Sequence, residues 1–368
     1  MRVVVLADRL FASRERELLS RLEIGLADEG VRVLQALPDE GLAAAPDGQA
    51  SGACTARLTF PSRGLPFTTG LRARRLAERL ESIDEGAEDT PVDIVHVFGG
   101  SLWPFAIALA EACGAGLAFE VWRAGLIDRA SAIAPSAPKD QLFIAPDPTI
   151  ERQLRHRGLA SRAALWGVHA GDPPAPKLQP GRAPTIMLIG AGNDPRAMRA
   201  ALEGVSRCVR THPDMLIFAD ALAARRADLY SLAAHRGVLP NLTLIEEIEA
   251  RRDLLVQGDV LLLCEGHGEQ RTIVLDAMTH GMITLSVEDK YSDYLRDGVS
   301  ARIVRPATAE GWSEALGSLL SDVPSARRIG ESAREFVATQ RRASDHVKAV
   351  LDAYSWLRQE HPARTIVP

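Results

Sequence analysis

Cysteine is scarce and scattered. The four in this 368-residue chain, Cys54, Cys113, Cys208 and Cys264, form no CxxC pair. That spacing excludes a thiolate metal site, and a disulfide framework is not expected in a chain of this length. No run of about 18 apolar residues occurs, so no segment is expected to span a membrane. Positive charge is not in excess either. The formal net charge is −5, which argues against a dedicated nucleic-acid binder, whose surface carries a basic face or stripe. The clusters Arg72-Ala73-Arg74-Arg75 and Arg341-Arg342 have acids nearby and read as solvated helix faces. No Ser-His-Asp order and no metal-ligand cluster offers a rival chemistry. The apolar strand Val3–Ala7 is too short for a signal-peptide h-region and lacks a cleavage pattern. A reducing, cytoplasmic setting is the expectation.

What is present is the composition of an ordinary globular protein, 46% hydrophobic and 25% charged, in a chain longer than one core usually organises. Two domains follow as the expectation. Short β-branched runs alternate with longer amphipathic stretches. The expected strands are Arg2–Ala7, Val31–Ala36, Ile94–Phe98, Leu117–Val121, Gln141–Ala145 and Ala163–Trp166. A second series comprises Thr185–Ile189, Met215–Ala219, Leu242–Ile245, Val260–Leu263, Ile283–Ser286 and Ala301–Val304. Helical patterns include Arg14–Glu29, Leu71–Ser82, Trp103–Cys113 and Thr149–Arg157. Such alternation predicts an α/β protein with parallel sheets covered on both faces. Between the series, residues 169–184 hold five prolines and two glycines; proline resists helix and removes donors, so this reads as a semi-rigid linker. The expected organisation is a first domain over 1–170, a linker over 171–184 and a second domain over 185–340. Residues 341–368 follow as a C-terminal helical segment. Asp39–Ala53, rich in Ala, Gly and Pro, reads as a mobile loop.

The densest stretch is Cys264-Glu265-Gly266-His267-Gly268-Glu269-Gln270-Arg271-Thr272-Ile273-Val274-Leu275-Asp276-Ala277-Met278-Thr279-His280-Gly281. An apolar strand runs into a polar loop, which opens a helix that ends at glycine. Strand ends and helix N-terminal N–H groups meet at such places, where open α/β sheets hold nucleotides and phosphates. Gly190-Ala191-Gly192 after Thr185–Ile189 imitates the start of a dinucleotide fingerprint, but the third glycine would fall at Pro195. Asp194-Pro195 reads instead as an N-cap and first helical residue, and a lone GxG is weak support for NAD.

Several segments together resemble the retaining glycosyltransferases of family 4, which have the GT-B architecture. Pro91-Val92-Asp93-Ile94-Val95-His96-Val97 resembles that family's P-D-apolar-apolar-H strand. Ala145-Pro146-Asp147-Pro148 through Trp166-Gly167-Val168-His169 is similar to its segment before the linker. Gly258-Asp259-Val260-Leu261-Leu262-Leu263 and Leu275-Asp276-Ala277-Met278-Thr279-His280-Gly281 resemble its "aDv.v.PS" and "lEAmA.G" motifs. Tyr294-Leu295-Arg296-Asp297-Gly298 through Pro306 resembles "e.v.dG.nG.lv.p". The resemblance covers nearly the whole chain. It implies two Rossmann-like domains with parallel sheets facing a central cleft. The C-terminal helix, Arg341–Gln359, would return to the first domain.

The resemblance also implies the chemistry. A nucleotide-diphosphate sugar would be the donor and a carbohydrate or lipid-linked molecule the acceptor, with retention and with no cofactor or obligatory metal. Asp276 stands where the family's helix Glu binds the ribose hydroxyls. Gly268 stands at the preceding acidic position, with Glu269 the nearest acid. Ala191 falls at the phosphate-binding Arg and Arg196 at the Lys. Arg271, Gly190 and His267 complete the expected donor contacts, each of them otherwise an ordinary loop or helix residue. Ala7-Asp8-Arg9-Leu10-Phe11-Ala12-Ser13 lacks the family's loop glycines, leaving Arg9 or Ser13 to take over that contact. His96, at an apolar strand's end, reads as a reacting group facing the cleft or as a core histidine. Glu120 and Arg123, flanking Trp122, read as acceptor contacts or as a local ion pair. The departures keep a second class open: a homologue without catalysis, acting as a binding or scaffold protein. Another two-domain Rossmann-type enzyme, such as a sugar-nucleotide epimerase, shares the fold.

Overall fold

The computed structural model describes residues 1–39, 56–61, 64, 66–83, 91–171 and 175–360. The described chain divides into two compact units, Met1–Trp166 with the segment from Ala343 onward, and Gly167–Arg342. The first unit runs β1 (Arg2–Ala7), α1 (Arg9–Arg14), α2 (Arg16–Asp28), β2 (Arg32–Pro38), β3 (Ala56–Phe60), α3 (Thr69–Ser82), β4 (Ile94–Phe98), α4 (Trp103–Cys113), β5 (Gly116–Glu120), α5 (Ile127–Ile133), β6 (Gln141–Ala145), α6 (Pro148–His156) and β7 (Ser161–Ala163). The second unit begins with β8 (Thr185–Ile189), α7 (Pro195–Val209), β9 (Leu216–Asp220), α8 (Ala221–Ala227), α9 (Leu229–Arg236) and β10 (Leu242–Ile245). It continues through α10 (Leu254–Gln257), β11 (Val260–Leu263), α11 (Thr272–Thr279), β12 (Ile283–Ser286), β13 (Arg302–Ile303), α12 (Ala309–Ser321) and α13 (Val323–Gln340). The last helix, α14 (Ala343–Glu360), belongs to the first unit.

Both sheets are parallel throughout, in the orders β3-β2-β1-β4-β5-β6-β7 and β10-β9-β8-β11-β12-β13. Their central strands are apolar on both faces because helices cover both sides: Val3–Ala7 and Ile186–Ile189 are fully buried. In each sheet the strand order reverses once, between β1 and β4 in the first unit and between β8 and β11 in the second. Helices leave adjacent strands toward opposite faces there, which opens a crevice at the strand carboxyl ends.

Several expected elements differ at their edges. The helix expected over Arg14–Glu29 is α2, Arg16–Asp28; Glu15, whose backbone leaves the helical region (φ −111°, ψ 31°), separates it from α1, which ends at Arg14. The strand expected at Ala163–Trp166 is Ser161–Ala163; it ends where its partner does, with Ala163 opposite Ala145, the last residue of β6. β3 was not among the expected strands. Its five residues alternate buried and half-buried at a sheet edge, a weaker signal than the continuous apolar runs of the centre. The loop read at Asp39–Ala53 lies, after its first residue, outside the described residues. No helix among the described residues is long and apolar enough to cross a membrane.

Candidate functional site

In the second unit, the crevice between β8 and β11 is built from two loops. β8 gives way to Gly190-Ala191-Gly192-Asn193-Asp194, and Gly192 takes a left-handed turn (φ +70°) that glycine allows at no cost. Asp194 caps α7, its carboxylate accepting from the N–H groups of Arg196 (3.1 Å) and Ala197 (3.0 Å), with Pro195 as the first helical residue. This is the cap that the Asp-Pro pair implied.

The neighbouring backbone donors are not open. Glu265, the second residue after β11, reaches across with both carboxylate oxygens. Oε2 accepts from Ala191 N (2.6 Å) and Gly192 N (3.2 Å), and Oε1 accepts from Asp194 N (2.6 Å). Glu265 is 7% exposed. A side chain at Gly190 would place its first carbon 2.8 Å from Glu265 Oε2. That glycine therefore serves the close approach of Glu265.

The rest of the β11–α11 loop is held from inside. Gly268 (φ +64°) donates its N–H to Asp289 Oδ2 at 2.7 Å. Arg271 is 4% exposed and pairs with Glu249 and, at 2.8 Å, with Glu269. Burial opposes its charge, but the two glutamates outweigh burial and hold the guanidinium above its ordinary value. Asp276, 8% exposed on α11, is paired with Arg252 Nε at 3.0 Å, and Arg252 also donates to Thr272 Oγ1 at 2.9 Å. Burial, seconded by the Glu265 charge, raises the Cys264 thiol well above its usual range and disfavours the thiolate.

Beside this crevice lies a cavity of about 710 Å³, lined among others by Arg196, His267, Glu203, Glu288 and Thr308. A second hollow of about 540 Å³ shares Gly266 and Glu288 with it and carries Lys290, Tyr291 and Arg305. Arg305 is tied to Glu288 and Asp297, both at 3.1 Å. The Arg196 and His267 side chains are exposed and have no hydrogen bond or ion pair among the described residues.

The sequence candidates therefore fall into separate groups. Arg196 and His267 line one cavity, and Gly190 lies in the adjacent loop. Glu269 and Arg271 meet each other in a buried triad with Glu249. Asp276 sits apart with Arg252. His96 lies in the other unit, as the third of five residues in β4 and not at its end, and it is fully buried. Its Nε2 is 3.3 Å from Glu120 Oε2 and its Nδ1 is 2.8 Å from the Tyr354 hydroxyl. Glu120 also accepts from Trp166 Nε1 at 2.7 Å. Against an ionised Glu120, which only accepts, a neutral His96 carries its proton on Nε2 and takes a hydrogen bond from Tyr354 on Nδ1. Glu120, read as an acceptor contact or as part of an ion pair with Arg123, is committed to this network, while Arg123 lies over the Trp122 ring, 5.2 Å from its centroid.

Sequence reasoning gave no role to Glu265, Glu249, Arg252 or Asp289. An acid two residues after the strand at a reversal point was a visible signal for Glu265. Nothing local marks the other three, which meet the loop only through the fold.

Two parallel-sheet units of this kind, with the last helix returning to the first, are the GT-B fold, and this chain has it. In structure it is similar to HepE of Anabaena, solved with UDP-glucose: TM-score 0.72 at 12% identity, over 97% of this chain and 100% of that one. In sequence it is 23% identical over 184 residues to the lipopolysaccharide core biosynthesis glycosyltransferase LpsE of Rhizobium meliloti, over 50% of this chain and 52% of the relative. It is 26% identical over 206 residues to D-inositol 3-phosphate glycosyltransferase of Nocardia farcinica, over 53% and 43% respectively. The chain spans about half the length of the curated relatives it matches. No protein-family model matches it.

Proposed function

We propose that this chain transfers a sugar from a nucleotide-diphosphate donor to a carbohydrate or lipid-linked acceptor, with the donor bound by the second unit. The observation that carries the reading is the cavity of about 710 Å³ beside the strand-order reversal, with the Arg196 and His267 side chains, unpartnered among the described residues, on its wall. A departing diphosphate gains negative charge, and donors already in place stabilise it without reorganising. Arg196 can grip two phosphate oxygens at once, and His267 can donate an N–H. In this reading Asp276, oriented by Arg252, meets the ribose hydroxyls. Gly190, Glu269 and Arg271 lie outside the cavity lining and hold the two loops that border it, and His96 stiffens the first unit from within. The positive charge comes from protein side chains, so the scheme calls for no metal. Retention of anomeric configuration, implied by the resemblance, is part of the proposal.

One observation favours a second reading, a binding module of the same fold without turnover. The loop's acid Glu269 is paired with Arg271, and Gly268 and Ala191 bring no charge to the crevice. Calorimetric titration with UDP-, GDP- and ADP-sugars, followed by a donor-hydrolysis assay, separates the two. UDP-glucose comes first because HepE was solved with it. The transferase reading expects binding and hydrolysis, and a weakening of about tenfold in Arg196→Ala, the scale of one charge-assisted phosphate contact. Binding without hydrolysis or transfer leaves the module. No binding at millimolar ligand removes both.

A further inference from the structure

We propose that Glu265 is a built-in anion that closes the crevice between β8 and β11 to phosphate. A ligand's diphosphate is thereby kept one step outward, in the neighbouring cavity. The proposal rests on the nucleotide-sugar reading only for that last clause.

The crevice has the features of an anion site: a glycine loop, three convergent N–H groups and the start of a fifteen-residue helix. All three N–H groups point at one carboxylate of the same chain. Hydrogen bonds to an ionised acceptor are the strong kind, and this acceptor is nearly withdrawn from water. A second anion would have to displace it or lie against it. Two negative charges in one buried site strongly disfavour each other. The surrounding residues leave room for the carboxylate, although a side chain at Gly190 would meet Met198 Sδ (2.6 Å) as well as Glu265 Oε2 (2.8 Å). Gly190 has no side chain where Oε2 sits, and Gly192 takes the turn that aims its N–H inward.

At the reversal point of the first unit the acid caps its own helix instead. Asp8, directly after β1, accepts from Phe11 N at 2.9 Å and from Ser101 Oγ at 2.8 Å. Its carboxyl carbon would lie 2.1 Å from a side-chain carbon on Gly99.

The test uses inorganic pyrophosphate, so its outcome does not depend on whether any sugar is transferred. Calorimetry compares the wild-type protein with Glu265→Ala and Glu265→Gln, with circular dichroism confirming that each is folded. Removing the carboxylate frees three backbone donors. Glu265→Ala is expected to bind pyrophosphate at least about tenfold more tightly than wild type. Glu265→Gln keeps the size and one acceptor oxygen but not the charge, and is expected to fall between them. In wild-type protein, the amide resonances of Ala191 and Gly192 are expected to stay in place as pyrophosphate is added. Equal or weaker affinity in a folded Glu265→Ala overturns the proposal. So does movement of those two resonances in the wild type, a measurement that needs no variant to fold. Failure of nucleotide sugars to bind, with the gain in Glu265→Ala intact, would remove both nucleotide-sugar readings and leave the role of Glu265 standing.

Discussion

Arginines 196 and 271 differ in what surrounds them, and the difference sets what each substitution does. Arg271 is enclosed with Glu249 and Glu269, so Arg271→Ala removes the cation that both carboxylates pair with. A loss of about 3–5 kcal/mol in urea denaturation is expected. Arg196 is exposed and unpaired among the described residues, so Arg196→Ala should change stability by no more than about 0.5 kcal/mol while weakening ligand binding. A second buried acid gives a pH signature. Glu23 is 5% exposed and accepts from Gln35 Nε2 at 2.6 Å, while Gln35 accepts from Arg57 Nε at 2.6 Å. Burial raises its carboxyl from 4.5 to about 7, and the Arg57 charge offsets only part of the rise. The folded protein therefore keeps a proton across that window that the unfolded chain has released, and stability falls as pH rises through it. Between about pH 5 and about pH 8, wild type is expected to lose on the order of 3 kcal/mol relative to Glu23→Gln. Parallel denaturation curves across that range check it; equal slopes for the two proteins would remove Glu23 from the account.

At the scale of elements, α7 and α12 cross closely because Gly204 has no side chain. A carbon added there would lie 2.5 Å from Trp312 Cβ and 2.8 Å from the Ala309 carbonyl oxygen. Backbone cannot swing away as a long side chain can. Gly204→Ala is therefore expected to cost about 1–3 kcal/mol despite alanine's better helix propensity, read as a lowered thermal midpoint. The loops follow a different logic. The Asp194-Pro195 start of α7 was legible because capping is local, needing only a carboxylate two or three residues before the N–H groups it accepts from. The partners of Glu265 are some seventy residues away along the chain. No local pattern could announce them.

For the whole molecule, the chain closes the first unit with its last helix. α14 packs on α2, β5 and β6, and Gly25 of α2 sits where a side chain would come within 2.4 Å of Val347. Tyr354 of that helix supplies the hydroxyl bonded to His96, 258 residues earlier in the chain. Tyr354→Phe keeps the packing and leaves His96 Nδ1 buried without its donor. A loss of about 1–3 kcal/mol is expected, and guanidinium denaturation monitored by fluorescence of the neighbouring Trp166 would register it. A change within about 0.5 kcal/mol would mean that the bond contributes little to holding the helix.

By itself the sequence determined the α/β alternation, the parallel sheets, most strand positions and the residues gathered around the β11–α11 loop. Those features rest on the 2- and 3.6-residue periods and on capping chemistry, which act over a few residues. Tertiary structure decided which of the gathered groups face solvent and which face each other. Arg196 and His267 remained at a cavity, Arg271 and Glu269 became a buried pair, and His96 joined a network with Tyr354. It also decided that the loop amides beside α7 hold Glu265. The physical reason is common to all of these: a charged group in a fold takes its role from what lies within a few ångströms of it, and those neighbours come from distant parts of the chain.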